Sequence, residues 1–182
     1  MIGFSVRQIQ HRVAPDIVAK YRGVPTATIS DCMSRMTAAG ARIRPMHDGG
    51  HLVGPAFTVK TRPGDNLLIH KALDMALPGD VIVVDAGGDL TNSLVGEIMS
   101  SYARMRGIAG LVVNGAIRDS DSIRKSSFPV FAAGVSHRGA LRSGPGAIGR
   151  PLALDGLVLD PGDLIVGDGA GVVSVPRELA DG

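Results

Sequence analysis

Residues 111–119 read LVVNGAIRD, and they determine where the rest of the chain can lie. The apolar run Leu111–Val113 is typical of a buried strand, so Arg118 and Asp119 leave the sheet at its carboxyl end. Open α/β sheets bind their ligands at that edge. An adjacent Arg and Asp supply a fork for a carboxylate or keto oxygen and a hard oxygen ligand for a divalent cation. A surface ion pair, or an acidic cap for a short helix over residues 120–125, explains the two side chains equally well.

Gly96 and Glu97 form a second motif, which the predicted topology brings to the same place. The sequence predicts a helix over residues 93–106 that leads into the strand described above. Helix and strand together place Glu97 at the sheet edge that carries Arg118. Free amides at a helix start attract an anion, so a substrate carboxylate could bind there while Glu97 orients or deprotonates a water. The alternative is an acidic side chain that is simply favoured by the helix dipole.

Strands and helices alternate through the middle of the chain, and strands predominate toward its end. This order predicts an α/β fold with a mixed sheet. We expect one domain over residues 1–182, with residues 1–29 as a helical N-terminal segment that is interrupted or begun by Pro15. The predicted helices cover residues 6–21, 30–39, 66–76, 93–106 and 120–125, and the predicted strands cover residues 54–61, 81–84, 111–113, 130–132, 157–159, 164–166 and 172–175.

One internal repeat is clear, because PGDVIVVDAGG at residues 78–88 recurs as PGDLIVGDGAG at residues 161–171. In each copy a Pro-Gly-Asp turn leads into a strand that ends at an Asp and a glycine-rich loop. We interpret the copies as two similar turn–strand units of one sheet rather than as a duplicated active site. The first loop lacks the full glycine spacing of a nucleotide or S-adenosylmethionine binder, which argues against a methyltransferase.

Composition narrows the possible functions. The chain is 45% hydrophobic and 20% charged with a net charge of +2, and its basic residues do not gather into a run. Because 3% of the residues are aromatic, a base-stacking nucleic-acid surface is not expected. The single Cys32 excludes an internal disulfide and a Cys-based zinc site. With no signal-peptide pattern and no apolar stretch of membrane-spanning length, we expect a cytoplasmic protein without a membrane partner.

Two weaker sets of polar residues complete the candidates. Asn66 and His70 are four positions apart on one predicted helix face and could reach a pocket together, although a lone helical His more often packs or is exposed. His137, Arg138 and Arg142 lie in a glycine-rich stretch and could bind an anion. In both cases the structural interpretation is favoured over the functional one.

Taken together, these motifs resemble the family of the regulator of ribonuclease activity A (RraA) and the 4-hydroxy-4-methyl-2-oxoglutarate aldolases. The most specific element of the resemblance is the spacing between Glu97 and the Arg118-Asp119 pair. The resemblance covers most of the chain from Ser30 onward. It includes segments at residues 64–72, 78–85, 96–97, 114–119, 138–139, 144–146 and 161–178.

The resemblance implies a layered α/β/β domain of the swivelling, phosphohistidine-domain-like type, assembled as a homotrimer or as a hexamer of paired trimers. It implies a class II aldolase that uses Mg²⁺ or Mn²⁺ to cleave 4-hydroxy-2-oxo acids, such as 4-hydroxy-4-methyl-2-oxoglutarate, to pyruvate. Oxaloacetate decarboxylation is the expected companion activity. The alternative within the same family is a regulatory protein that inhibits a ribonuclease by protein contact.

The same resemblance assigns roles to the two motifs. Asp119 would bind the metal, and Arg118 would hold the oxo acid and stabilise the enolate oxygen. Glu97 would hold a water that relays protons. The pyruvyl carboxylate would bind the backbone amides of Gly96, Glu97, Ile98 and Met99.

Overall fold

The computed structural model describes residues 3–181, and within them the chain forms twelve strands and five helices. The strands are β1 (Phe4–Val6), β2 (Arg44–Pro45), β3 (Leu52–Thr61), β4 (Val81–Asp85), β5 (Ser93–Val95), β6 (Gly110–Ile117), β7 (Val130–Val135), β8 (Gly146–Ile148), β9 (Leu152–Leu154), β10 (Leu157–Leu159), β11 (Leu164–Asp168) and β12 (Gly171–Val175). The helices are α1 (Pro15–Lys20), α2 (Thr26–Cys32), α3 (Leu67–Met75), α4 (Glu97–Met105) and α5 (Ser120–Lys125).

Ten of the strands form one mixed sheet, whose main path is β1-β8-β3-β4-β6-β7-β2. Strands β11 and β12 extend from β3, β5 lies beside β6, and β9 and β10 form a separate hairpin. The central strands β3, β4, β6 and β7 are parallel to one another, so their carboxyl ends share one edge. Every residue of β4 and β6 is buried, as expected for parallel strands that are covered on both faces. The predicted α/β fold with a mixed sheet is confirmed.

Separate hydrophobic clusters cover the two faces of the central strands. Ile82 and Val84 of β4 belong to a cluster that includes apolar residues of α3 and α4. Val81 and Val83, which alternate with them, belong to a second cluster with the apolar residues of β9 and β10. The central sheet therefore lies between a layer of helices and a second layer of strands. A third cluster joins α1 and α2 to β11 and β12.

Each copy of the internal repeat contains one strand that pairs with β3. Strand β4 pairs in parallel with the second half of β3, and β11 pairs antiparallel with its first half. In both copies the Asp of the Pro-Gly-Asp turn accepts the backbone N–H three positions earlier, at 2.9 Å for Asp80 and for Asp163. Gly79 and Gly162 have φ angles of 89° and 90°. The interpretation of the repeat as two turn–strand units is confirmed.

The helix predicted over residues 6–21 is wrong in its first half. Residues 4–6 form β1, and α1 begins at Pro15, where the fixed φ of proline suits the first helical turn. The apolar residues in this stretch are spaced like a helical stripe, but they enter two different clusters: Ile9, Val13 and Ile17. Met1 and Ile2, which open the predicted N-terminal segment, lie outside the described residues.

The helix predicted over residues 30–39 is observed four residues earlier in the chain, as α2 over Thr26–Cys32. Helix α2 ends at Cys32, and Ser34 and Arg35 adopt positive φ angles of 57° and 62°. Its start is anchored by Asp168, whose carboxylate accepts the backbone N–H and the hydroxyl of Thr26 at 2.8 and 2.7 Å. Because this anchor lies 142 positions away in the chain, it could not be recognised from the local sequence.

Other predicted elements are present with shifted ends. Strands β3 and β6 are longer than expected, and the short strands β1, β2, β8 and β9 are additional. The helix predicted over residues 93–106 begins at Glu97, because Ser93–Val95 is strand β5. Within residues 3–181, none of the helices is long and apolar enough to cross a bilayer.

The matched turns of the repeat provide a paired test of stability. A Cβ on Gly79 would meet no atom within 4 Å, so only the positive φ opposes Gly79→Ala. We expect this variant to lose about 1–2 kcal/mol in the free energy of unfolding. A Cβ on Gly162 would also overlap the carbonyl oxygen of His11, so Gly162→Ala should lose more. Denaturant unfolding of both variants measures the difference, and equal losses would contradict the expectation.

Candidate functional site

The candidate site lies where β5 and β6 end side by side. Strand β5 pairs in parallel with the end of β6, which corrects the helix predicted from Ser93. The Arg118 amide donates to the Val95 carbonyl at 2.9 Å, and this bond holds the end of β6 against the start of α4. The structure thus brings Glu97 to the same sheet edge as Arg118 and Asp119.

Asp119 joins the end of β6 to both neighbouring helices. Its Oδ2 accepts the Glu97 backbone N–H at 3.0 Å, so the carboxylate caps the start of α4. Its backbone is left-handed, with φ 56° and ψ 37°, and its carbonyl accepts the amides of Ser122 and Ile123 at the start of α5. The side chain remains 41% exposed. Among residues 3–181, no hydrogen-bond donor contacts Oδ1, which leaves that oxygen for a ligand.

Gly96 makes room for this arrangement. A Cβ on Gly96 would lie 2.5 Å from Asp119 Oδ2 and 3.0 Å from Arg118 Cγ. Because its φ of −136° is open to any residue, space rather than backbone conformation requires glycine here. Arg118 Nε lies 3.8 Å from Asp119 Oδ2, and the Arg118 side chain is 47% exposed. An exposed pair at this distance contributes little to stability, so the interpretation as a structural ion pair is weak.

Arg118 and Asp119 border a cleft of about 300 Å³, which we call the first cleft. Ile98 and Met99 also line it, and their amides in the first turn of α4 have no intrahelical acceptor. Asn66 and His70, at the start of α3, line the same cleft. The structure therefore places this weaker pair of candidates in the same cleft as Arg118 and Asp119.

The same Arg and Asp also border a second cleft, of about 480 Å³. This second cleft is lined by Glu97 and Asp121 as well as Asp119, and by His137. The Glu97 side chain is exposed and does not line the first cleft. Arg118 and Asp119 thus border both clefts. The second cleft has further acidic side chains, whereas the first has basic and neutral polar side chains.

The loop after β7 contributes more than the sequence indicated. Arg142 lines the first cleft, whereas the Arg138 side chain lines neither. The buried Asp65 fixes this loop, because its Oδ2 accepts the amides of Ser143 and Gly144 at 2.7 and 2.9 Å. The local sequence shows Asp65 only as an acid beside Asn66. It does not reveal that Asp65 positions this loop, because Ser143 and Gly144 are distant from it in the chain.

The donor set at the site suits a hard divalent cation held by few protein ligands. Within residues 3–181, no cluster of three or more His, Cys, Asp or Glu side chains is arranged to hold a metal ion. Asp119 provides a free carboxylate oxygen, and Glu97 and Asp121 line the same second cleft. Mg²⁺ binds through one or two carboxylates and keeps several waters, whereas structural zinc requires four protein ligands.

His70 is the titratable group of the first cleft with a shifted pKa. Burial lowers the pKa of His70, the Arg142 guanidinium lowers it further, and Asp74 acts in the opposite direction. The Nε2 atom is buried and has no hydrogen-bond partner among residues 3–181. His70 is therefore neutral at neutral pH, and the positive charge of this cleft comes from Arg118 and Arg142.

Comparison with known proteins places these features in a family. A family model described as RraA-like (Aldolase/RraA) matches residues 26–174. A protein of Halalkalibacterium halodurans, provisionally named a 4-hydroxy-4-methyl-2-oxoglutarate aldolase, is 41% identical over 162 residues. This match covers 89% of the chain and 77% of that protein.

Two solved structures share the fold under different functional names. The RNA-processing inhibitor RraA from Thermus thermophilis has a TM-score of 0.77 at 27% identity, over 84% of this chain and 93% of that one. A Geobacillus kaustophilus structure named S-adenosylmethionine:2-dimethylmenaquinone methyltransferase has a TM-score of 0.79 at 29% identity, over 87% and 99%. Because one fold carries such different names, function has to be argued from the site.

The environment of His70 is tested by NMR titration of its ring protons. We expect a pKa below 6.5, raised toward that value in Arg142→Gln and lowered further in Asp74→Asn. Since the unfolded chain then binds the proton more readily, His70 should make the protein less stable as the pH falls below about 6.5. An unchanged pKa in both variants would show that neither charge acts on His70.

The space at Gly96 is tested by a pair of alanine variants. Gly96→Ala should push Asp119 off the Glu97 amide and lower the free energy of unfolding by about 1 kcal/mol, the usual effect of losing a helix cap. Gly139→Ala is the control, because its Cβ would lie 3.6 Å from Arg118 Nη1, an ordinary contact. Chemical denaturation compares the two, and equal stability would refute the steric role of Gly96.

Proposed function

The chain belongs to the RraA-like family, and from that membership we propose that it is a divalent-metal-dependent class II aldolase. It cleaves 4-hydroxy-2-oxo acids, such as 4-hydroxy-4-methyl-2-oxoglutarate, to pyruvate, and it decarboxylates oxaloacetate through the same enolate. One observation carries this proposal: Arg118 and Asp119 directly follow β6 beside the free amides of α4, at the edge of a cleft. Such a junction suits an anionic substrate and a cation together.

The residues of this junction fit Mg²⁺ or Mn²⁺. Asp119 would hold the ion through Oδ1, because the Glu97 amide already engages Oδ2. Glu97 and Asp121 line the same cleft and would hold waters of the ion's shell. When bound, the ion supplies Lewis-acid polarisation of the substrate's oxo group.

Substrate binding uses the start of α4 and the end of β6. The amides of Ile98 and Met99 donate to the substrate's first carboxylate, where the helix dipole favours negative charge. The Glu97 amide is not free for this purpose, since it donates to Asp119. The Arg118 guanidinium donates to the 2-oxo oxygen and stabilises the charge that develops there.

Bond cleavage then requires one proton acceptor. A water held by Glu97 takes the proton of the 4-hydroxyl and passes one of its own to the Glu97 carboxylate. The C3–C4 bond breaks, and its electron pair forms the enolate of pyruvate. The 4-oxygen becomes the carbonyl of the second product, and a proton returned to C3 releases pyruvate. Oxaloacetate loses CO₂ instead and forms the same enolate, which Arg118 stabilises in both reactions.

Further properties of the family are proposed for this chain as well. They are the swivelling, phosphohistidine-domain-like type of α/β/β layering, one domain, a cytoplasmic location, and assembly as a homotrimer or hexamer without nucleic-acid or membrane partners. Exposed apolar side chains at or beside the two clefts support association between copies: Ile98 at 81%, Val135 at 53% and Leu141 at 53%. The mass of the protein in solution, measured by light scattering, tests the assembly.

The alternative is an RraA-type regulatory protein that inhibits a ribonuclease by protein contact. The observation in its favour is the similarity to the RNA-processing inhibitor RraA of Thermus thermophilis, at a TM-score of 0.77. Such a role needs an accessible surface but no proton transfer, so it predicts that Arg118 can be replaced without loss of function.

Pyruvate release from 4-hydroxy-4-methyl-2-oxoglutarate and from oxaloacetate, with Mg²⁺ or with a chelator, tests the aldolase proposal. Arg118→Ala should lower kcat/KM by about 100- to 1,000-fold, since it removes the donor to the developing enolate oxygen. Arg124→Ala is the control, because Arg124 is exposed on α5 and lines neither cleft. The chelator should abolish turnover by the parent protein.

Failure of the proposal has a distinct signature. If the folded parent releases no pyruvate from either substrate with Mg²⁺ present, the aldolase function is refuted. Inhibition of a ribonuclease by the parent and by Arg118→Ala alike would then establish the regulatory alternative.

A further inference from the structure

A third cleft, of about 580 Å³, lies beside the segment that joins β1 to α1. Among residues 3–181, none lines both this cleft and either of the first two. The third cleft is lined by residues 7–11 of the joining segment, residues 149–151 after β8, residues 160–161 before β11, and Arg177.

The third cleft lies at the other end of the central strands from the candidate site. Pro161 in its lining is followed by Gly162, whose amide donates to the Ala56 carbonyl at 2.9 Å. Ala56 pairs with Val81, the first residue of β4. Because β4 and β6 are parallel, this end is opposite to the carboxyl end of β6, which Arg118 follows.

The joining segment is fixed in place although it is neither helix nor strand. At one end the Arg7 amide donates to the Ile148 carbonyl at 3.1 Å. At the other end the Val13 amide donates to the Gly162 carbonyl at 3.2 Å. Between these bonds Ile9 is 6% exposed and belongs to the main hydrophobic cluster. The backbone on this side of the cleft therefore holds its shape before a ligand binds.

Two arginines of this segment differ in how they are used. Arg12 does not line the cleft, and its Nε and Nη2 donate to the Asp80 carboxylate at 2.7 and 3.0 Å. Arg7 lines the cleft and takes part in none of the ion pairs formed within residues 3–181. Arg12 is therefore a structural residue, whereas the Arg7 guanidinium is available to a ligand.

Two further arginines in the lining are oriented by their neighbours and keep free donors. Arg150 Nε donates to Ser5 Oγ at 3.1 Å, which leaves its two Nη groups for a ligand. Arg177 Nη1 donates to the Pro161 carbonyl at 3.1 Å, and its Nε lies 3.0 Å from a carboxylate oxygen of the exposed Glu178. Its Nη2 is then left for a ligand.

The charge of the cleft is positive. Asp160 provides the one carboxylate among the described lining residues, against three guanidinium groups. It forms no ion pair within residues 3–181, so it neutralises none of them at close range. A cleft lined mainly by one sign of charge concentrates ligands of the opposite sign.

The size and lining of the cleft favour an anion with several phosphoryl groups. Its volume equals that of about 20 waters at about 30 Å³ each, so a single inorganic ion would fill a small part of it. A phosphoryl group offers three acceptor oxygens, and guanidinium forks match them. The lining includes no Phe, Tyr or Trp among the described residues, so a nucleobase would have no aromatic stacking partner.

We propose that the third cleft binds a small oligophosphate, an anion of two or more linked phosphoryl groups, through Arg7, Arg150 and Arg177. Each guanidinium donates to oxygens of the anion, and Asp160 opposes binding. Arg7 and Arg177 lie outside residues 26–174, which the family model matches, so the site extends beyond the part of the chain that defines the family. It is independent of the proposed aldolase function.

Calorimetric titration with pyrophosphate, in the presence of a metal chelator, tests the site. Arg7→Gln and Arg150→Gln should each weaken binding by about tenfold, the value of one charged hydrogen bond. Asp160→Asn should strengthen binding by about two- to threefold, because it removes a carboxylate that repels the anion. Arg124→Gln is the control and should bind like the parent, since Arg124 is exposed and does not line the cleft.

A further variant separates the third cleft from the candidate site. Arg118→Gln should bind pyrophosphate as tightly as the parent, and at least about tenfold more tightly than it binds inorganic phosphate. Loss of pyrophosphate binding in Arg118→Gln, with unchanged binding in Arg7→Gln and Arg150→Gln, would place the anion in the first cleft and overturn the proposal. No binding by the parent at millimolar pyrophosphate, or equal affinity of Arg118→Gln for the two anions, would overturn it as well.

Discussion

Strand β3 pairs with other strands along all ten of its residues, and the rest of the structure depends on how it does so. Its second half takes β4 in parallel and β8 antiparallel, and its first half takes β11 antiparallel, so this one strand joins β11 to the central parallel strands. Gly54 permits this change of partner, because a Cβ there would overlap the Gly79 carbonyl oxygen. Since β4 places β6 and β6 places β5, the position of Arg118 is a consequence of this pairing.

Local patterns predicted those elements whose burial follows the regular period of a strand or a helix. Strand β4 and the first part of β6 are apolar runs, and α3 follows the cap position Asn66, so both kinds of element could be identified without tertiary information. Predicted element boundaries were wrong where contacts with residues distant in the chain determine the local structure. The Asp168 carboxylate determines where α2 begins, and the Arg138 carbonyl, which accepts the Ser93 amide at 2.7 Å, helps to draw that segment into a strand.

The residues of the candidate site likewise divide into those that the local sequence brings together and those that distant contacts position. The Arg118-Asp119 motif and Glu97 could be found because a strand, a helix and a short loop bring them together in sequence order. Arg142 was a candidate anion ligand, but its place beside this motif could not be predicted, because the bonds to Asp65 that position its loop join residues 78 and 79 positions apart. The result is a site with two unlike halves, acidic on the Glu97 side and basic on the Arg142 side, that share one Arg-Asp pair.

The double capping by Asp119 bears on how this family can diverge. The residue starts α4 with its side chain and α5 with its backbone, so it stabilises both helices whether or not it binds a metal. A descendant released from selection for catalysis would still be selected to keep the acid, because losing a cap weakens a helix. A retained acid at this position can therefore reflect selection for stability alone. Activity can be lost before the Arg118-Asp119 motif changes in sequence. An enzyme and a binding protein can in this way share one apparently intact pocket.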